Sequence, residues 1–238
     1  RRVACFGAVN SLAQVLLKIT APGVPDFYQG SELWDFSLVD PDNRRPVDFR
    51  HRAALLESLQ EQEKNGLAPL ARELCAHWED GRIKLYLTYR ALNLRRGCQE
   101  LFASGEYIPL HASGGLNSHV CAFARRLEKA WAVAAVPRLL ARLLGEVQRK
   151  PAEESSHWPF PDGLLPGRQI WGKSEIILPA GAPGEWSNVF TGEALLACAH
   201  SGLNTTGAAS PREKALPLAD LFANFPVALL VSSLSRTS

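Results

Sequence analysis

The run DPDNRRP at positions 40–46 is the part of this sequence best suited to chemistry, because it places two carboxylates beside two guanidinium groups in a proline-bounded loop. The same polar stretch contains Gln29 and Glu32 upstream of this run. Gly23 and Pro46 bound the stretch, and Gly30 lies within it. Such groups can hold a polyhydroxylated ligand through charged hydrogen bonds, with an aromatic side chain as an apolar platform. The candidate ligand-binding residues are Tyr28, Gln29, Glu32, Asp40, Asp42, Arg44 and Arg45, with Tyr28, Trp34 or Phe36 as the platform.

A purely structural interpretation of this loop stays open. Asp40 and Asp42 can form Asx turns, and the arginines can pair with them. Catalysis within the chain is not expected, because two adjacent permanent cations keep both carboxylates ionised and unsuited to general acid work. No serine lies in a nucleophile-elbow motif, and no glycine-rich phosphate fingerprint is present. The sequence therefore predicts a binding loop and no catalytic residue.

Composition narrows the class of protein. The 238 residues are 46% hydrophobic and 21% charged, which is the balance of a packed globular chain. A net charge of +2 without a basic face predicts that nucleic acid is not a partner. Apolar stretches such as 131–136 and 227–231 are far shorter than the roughly 20 residues of a membrane span, so no membrane association is expected.

The five cysteines and six histidines are scattered along the chain. No CxxC pair is present, and no histidine stands at the spacing of a zinc site, so we expect no metal and no cofactor. An odd number of separated cysteines is typical of reduced thiols and predicts a cytoplasmic protein.

The elements that must position the loop begin with a helix over 4–18, whose apolar face carries Val9, Leu12 and Leu16. A buried strand is predicted over 24–28, and the polar loop follows over 29–47, where ligands bind in α/β proteins. Three more helices are predicted, the first capped by Asp48, the next with Pro69 in its first turn, and the last between Asp80 and Gly97.

From about Glu106 the apolar period changes to two. Segments 119–124 and 131–136 flank a charged turn over 125–129, which predicts an antiparallel hairpin. Further strands are predicted at 176–178, 185–190 and 227–231, with a surface loop over 145–167. Several short strands separated by turns favour a second domain built as a β-sandwich, with Trp131, Trp171 and Trp186 in its core.

Residues 10–49, NSLAQVLLKITAPGVPDFYQGSELWDFSLVDPDNRRPVDF, resemble the closing part of the catalytic barrel of maltooligosyltrehalose synthases, a branch of the alpha-amylase superfamily. APGVPDFYQGSEL is similar to the superfamily's segment around the eighth barrel strand, and LVDPDNRRPVDF is more particular to the trehalose-forming branch. Weaker similarity continues through GRIKLYLTYRALNLRR and LPAGAPGEWSNVFTGE.

The resemblance implies an α+β chain cut from the carboxy-terminal part of a larger enzyme. Residues 1–96 would be the helical end of a (β/α)8 barrel, meaning its last strand and flanking helices, and 97–238 an antiparallel β-sandwich. Such enzymes convert the reducing-end α-1,4 link of a maltooligosaccharide into an α,α-1,1 trehalose link by intramolecular transglucosylation. Their catalytic carboxylates lie on earlier strands, so the isolated chain is expected to be inactive.

Two further expectations concern self-association and an alternative function. Loss of the other barrel strands would leave the apolar face of the first helix and the 24–28 strand uncovered, which predicts self-association through that surface. The alternative function, from a different class, is a non-catalytic carbohydrate-binding or interaction module without a catalytic parent. The segment encoded immediately upstream distinguishes the two.

Overall fold

A computed structural model describes residues 2–37, 44–143, 168–200 and 213–232. Within these ranges, helices dominate up to Ala103 and strands dominate from Glu106 onward. The longer helices are α1 (Arg2–Thr20), α2 (Phe49–Glu63), α3 (Leu67–Ala76), α4 (Arg82–Gly97) and α5 (Gln99–Ala103), and the short ones are α6 (Arg168–Trp171) and α7 (Leu218–Leu221). The strands are β1 (Glu106–Leu110), β2 (Ala112–Ser113), β3 (Val120–Leu127), β4 (Ala130–Pro137), β5 (Glu175–Ile177), β6 (Glu185–Asn188), β7 (Ala194–Leu196), β8 (Cys198–Ala199), β9 (Lys214–Pro217) and β10 (Ala228–Ser232).

Helix α1 confirms the predicted helix and extends it by two residues at each end. Its predicted apolar face is buried, with Val9, Leu12 and Leu16 at most 1% exposed. The expectation that this face lacks neighbours is wrong, because α4 and β4 of the same chain pack against α1. Self-association through it stays a prediction without that support.

By length and composition alone, α1 could cross a membrane: Val3–Thr20 has a mean hydropathy of 1.5. Half of this window is buried inside the chain, and core helices pass the same test. The finding therefore does not distinguish a core helix from a membrane segment, and the absence of a membrane-spanning segment stays a prediction.

The predicted starts of α2, α3 and α4 are confirmed, and α2 has a side-chain cap. The Asp48 carboxylate accepts a hydrogen bond from the backbone N–H of His51 at 2.9 Å, which satisfies one of the free donors of the first turn of α2. Pro69 lies in the first turn of α3, where its missing N–H costs nothing. Before α4, Asp80 accepts from the N–H of Arg82 at 2.9 Å.

The predicted strand over 24–28 is absent. These residues run without regular secondary structure after α1, and Val24 and Tyr28 are 94% and 66% exposed. A strand needs a neighbour for its backbone hydrogen bonds, and no strand in the described ranges pairs with this segment. The apolar composition and the length of segment 24–28 do not show whether a neighbouring strand pairs with it.

The described strands form two antiparallel sheets, of order β1-β3-β4-β10-β6-β7 and β2-β5-β9-β8. The predicted hairpin is confirmed as β3 and β4, which pair from Val120↔Pro137 to Leu127↔Ala130. Its turn is shorter than predicted, because both strands run further and Glu128 turns the chain at φ 52°. The strands predicted at 176–178, 185–190 and 227–231 correspond to β5, β6 and β10, whereas β1, β2, β7, β8 and β9 were not predicted. The predicted loop over 145–167 lies outside the described residues.

Helices and sheets share one hydrophobic core. Trp131, Trp171 and Trp186 are buried in it, as the sequence predicts. Two polar side chains of α4 also donate hydrogen bonds to backbone carbonyl groups in the segment after β6. The hydroxyl of Tyr86 donates to the carbonyl oxygen of Phe190 at 2.7 Å, and Arg90 donates to that of Val189 at 2.9 Å.

We expect Tyr86→Phe to lower the free energy of unfolding by about 1–2 kcal/mol, because the buried Phe190 carbonyl loses its side-chain donor while the packing volume is kept. Urea unfolding of the chain measures this change. The matched control is Tyr107→Phe, whose side chain is 45% exposed on the edge strand β1 and should change stability by less than about 0.5 kcal/mol. Equal effects in both variants would contradict the assigned role of Tyr86.

Candidate functional site

The two ends of the predicted binding loop meet at Gly30 and Val47. Gly30 is buried with φ +86°, a conformation that disfavours other residue types. A Cβ at this position would lie 3.0 Å from Cγ2 of Val47. The glycine thus allows the loop to close into a narrow neck, which we call the loop neck and define by Gly30, Glu32, Val47 and Arg52.

Arg52, on the second turn of α2, holds the loop neck together. Its Nε donates to Oε2 of Glu32 at 2.9 Å, and its Nη2 donates to the carbonyl oxygen of Gly30 at 2.9 Å. A third bond, at 3.2 Å, joins Nη1 to the carbonyl oxygen of Asp48. Charge-assisted bonds from one planar group fix orientation as well as distance, so Arg52 couples the start of the loop to the helix that follows it.

The predicted site residues divide into three groups. Glu32 is placed in the loop neck by Arg52. Tyr28, Gln29, Arg44 and Arg45 are exposed. Asp40 and Asp42 lie outside the described residues. Arg52 was missed because its partner is 20 positions away in the sequence, and no local motif signals such a pair.

Beyond the neck, Trp34 is fixed between two segments. Its indole Nε1 donates to the carbonyl oxygen of Trp78 at 2.7 Å, and the two rings meet edge to face at 6.3 Å. Gly81 permits this approach: its φ is +82°, and a Cβ there would lie 3.2 Å from the backbone nitrogen of Trp34. The platform residue Trp34 is therefore positioned by packing rather than left free on the surface.

Two charged side chains lie beside Trp34. Lys84 is 8% exposed, and its Nζ donates to the carbonyl oxygen of Leu33 at 3.0 Å. Burial lowers the pKa of Lys84. Asp35 is exposed, and the hydrogen bonds it accepts from the side chain and backbone of Ser37 lower its pKa. Asp35 is thus held ionised, as an acceptor of hydrogen bonds and not as a general acid.

This arrangement offers groups that can bind a ligand. Within the described residues, no group of three histidine, cysteine or acidic side chains is arranged to hold a metal ion. Near Trp34, the structure combines aromatic surface with the ammonium group of Lys84 and the carboxylate of Asp35. Those groups suit a neutral, hydroxyl-rich ligand.

A chain that mixes helices with antiparallel sheets in this order matches part of two solved enzymes. Both are maltooligosyltrehalose synthases. A mutant of the enzyme from Arthrobacter ramosus is 32% identical with a TM-score of 0.62, and the match covers 94% of this chain and 22% of that one. A second maltooligosyl trehalose synthase is 27% identical with a TM-score of 0.55, over 97% of this chain and 22% of the other.

The curated relatives agree with the structures. A maltooligosyl trehalose synthase of Mycobacterium tuberculosis, found in two strains, is 35% identical over 222 residues. The match covers 93% of this chain and 20% of the relative, so the chain spans about a fifth of the length of these proteins. No family model matches. The resemblance predicted from the sequence is confirmed: the chain is a relative of part of the maltooligosyltrehalose synthases.

We expect Arg52→Ala to open the loop neck, because the variant loses all three of its hydrogen bonds to Gly30, Glu32 and Asp48. Backbone amides of 28–37 should exchange with deuterium about three- to tenfold faster, as expected for the loss of roughly 1 kcal/mol of local stability. Hydrogen–deuterium exchange with mass spectrometry measures this rate. Arg50→Ala, an exposed arginine in the first turn of α2, is the matched control. Unchanged exchange rates in Arg52→Ala would show that the hydrogen bonds of Arg52 do not hold the loop neck closed.

Proposed function

We propose that the chain is the carboxy-terminal part of a maltooligosyltrehalose synthase. Residues 1–96 would supply the last strand and flanking helices of its (β/α)8 barrel, and 97–238 a C-terminal β-sandwich. The observation that carries the proposal is 35% identity to a maltooligosyl trehalose synthase over 93% of the chain. In the complete barrel, the irregular segment 24–28 would gain neighbouring strands and could complete its backbone pairing.

The proposed reaction is an isomerisation that belongs to trehalose biosynthesis. The enzyme would take a maltooligosaccharide, cleave its reducing-end α-1,4 link and rejoin the released glucose through an α,α-1,1 link. A covalent glycosyl-enzyme mechanism needs a carboxylate nucleophile and a carboxylic acid/base. We assign these groups to parts of the enzyme outside this chain, so the isolated chain should not catalyse the reaction. We also propose a cytoplasmic location, in keeping with five free cysteines.

The contribution of this chain would be to bind substrate through the loop over 28–45. Glu32 would act mainly at the loop neck, since Arg52 occupies its Oε2. The exposed Tyr28, Gln29, Arg44 and Arg45, together with Asp40 and Asp42, would offer hydrogen bonds to sugar hydroxyls. A loop that follows a barrel strand at its carboxyl end lies on the face where such barrels bind their ligands.

We expect Asp42→Asn and Arg45→Ala, each in the complete enzyme, to lower kcat/KM for maltopentaose by at least about tenfold. The loss of a charged hydrogen bond in a desolvated site, roughly 1.5–3 kcal/mol, sets that scale. Steady-state kinetics measure the effect, and residues that act on substrate rather than on folding should leave the melting temperature little changed.

The control is Arg50→Ala, which removes an exposed guanidinium group from α2 outside the loop and should leave kcat/KM unchanged. Wild-type kinetics in both loop variants would remove the loop from the substrate site. Matching losses of activity and thermal stability would assign Asp42 and Arg45 a structural role instead.

A further inference from the structure

A cavity of about 440 Å³ lies between the amino-terminal half of α1 and the segment that carries Trp34. One wall is made of small side chains of α1, and the other is aromatic. The lining residues are Ala4, Gly7, Ala8, Ser11, Trp34, Asp35, Phe36, Trp78, Glu79 and Lys84. Small-molecule sites in proteins are of this size and have this mixture of apolar walls with a few polar groups.

The aromatic wall offers flat apolar surface to a ligand. Trp34 and Trp78 are fixed against each other by the indole hydrogen bond at 2.7 Å, so this part of the wall is rigid before any ligand arrives. Phe36 is 88% exposed beside them. An exposed phenylalanine at the mouth of a preformed cavity can cover the apolar face of a sugar ring, while the ring's edge stays polar.

Four polar side chains line the cavity, those of Ser11, Asp35, Glu79 and Lys84, and of these Lys84 and Asp35 supply a donor and an acceptor beside Trp34. The ammonium group of Lys84 has three N–H donors and uses one of them for the hydrogen bond to the carbonyl oxygen of Leu33, at 3.0 Å. Its Nζ lies 5.8 Å from the centre of the Trp34 ring. Asp35 accepts both bonds from Ser37 at Oδ1, and within the described residues nothing bonds to Oδ2. An ammonium group can donate to a sugar hydroxyl, and a carboxylate oxygen can accept from one.

We propose that this cavity binds one glucose unit of the maltooligosaccharide, with Phe36 stacked on the sugar ring and with Asp35 and Lys84 bonded to its hydroxyls. The proposal rests on the proposed function for its substrate class. An anionic ligand is disfavoured because Asp35 and Glu79 both line the cavity. An apolar side chain of another polypeptide would leave Lys84 and Asp35 without hydroxyl partners.

Substitution of exposed residues tests the cavity without disturbing the fold. In the complete enzyme, Phe36→Ala and Asp35→Asn should each raise KM for maltopentaose about three- to tenfold and leave kcat within about twofold, because a contact made equally in the ground and transition states affects binding alone. The matched control is Phe49→Ala, which removes the same side chain from a position outside the cavity lining. Phe49 is 57% exposed. This control variant should leave both constants unchanged.

A binding measurement separates this proposal from the proposed function. Titration of the complete protein with maltopentaose, followed by tryptophan fluorescence, does not depend on turnover. It should give a Kd about three- to tenfold higher for Phe36→Ala than for wild type. A wild-type protein that binds maltopentaose but converts none of it would overturn the proposed reaction and leave the cavity supported.

Unchanged KM and Kd in both cavity variants would overturn the glucose site. A lower melting temperature with unchanged KM and Kd would also overturn it, since that result means that another part of the enzyme covers Phe36.

Discussion

The carboxyl end of α1 is held by two arginines from different parts of the chain, and the placement of the site depends on this contact. Arg95 of α4 donates to the carbonyl oxygens of Ile19 and Gly23, both at 2.5 Å. Arg125 of β3 donates to that of Thr20 at 3.2 Å and to that of Gly105 at 2.8 Å. Cations at this end of a helix are favoured by its dipole and satisfy carbonyl groups that lack partners within the helix. Burial lowers the pKa of both guanidinium groups, but arginine stays charged in proteins.

This contact connects the helical part of the chain to the sheets and also sets the walls of the cavity. Once its carboxyl end is fixed, α1 lies along α4 and β4, so its amino-terminal half faces the segment of Trp34. Lys84, near the start of α4, then reaches the carbonyl oxygen of Leu33. The loop neck is built separately, from Arg52 on α2. Trp34, Asp35 and Phe36 line the cavity, and Glu32 of the loop neck precedes them in the same segment.

Local sequence predicted the four longest helices and five of the ten described strands, and few of the contacts between them. The apolar period gave α1 and the hairpin of β3 and β4, and Asp48 signalled the start of α2, because these signals act within a few residues. The strand over 24–28 failed because its formation depends on a neighbour elsewhere. Arg52 and Lys84 were missed for the related reason that their partners are 20 and 51 positions away. For the site, the family motif predicted that the loop binds the ligand, and this stays a prediction, while the roles of Glu32 and Trp34 needed their tertiary partners.

The most direct test of the account compares the complete reading frame with the isolated 238-residue chain on maltopentaose, using proton NMR to follow the anomeric signals. The account predicts that the complete protein removes the reducing-end signals, creates an α,α-1,1 signal and leaves the molecular mass unchanged, whereas the isolated chain changes nothing. Shorter oligosaccharides with new reducing ends from the complete protein, or loss of reducing ends with the isolated chain alone, would contradict it.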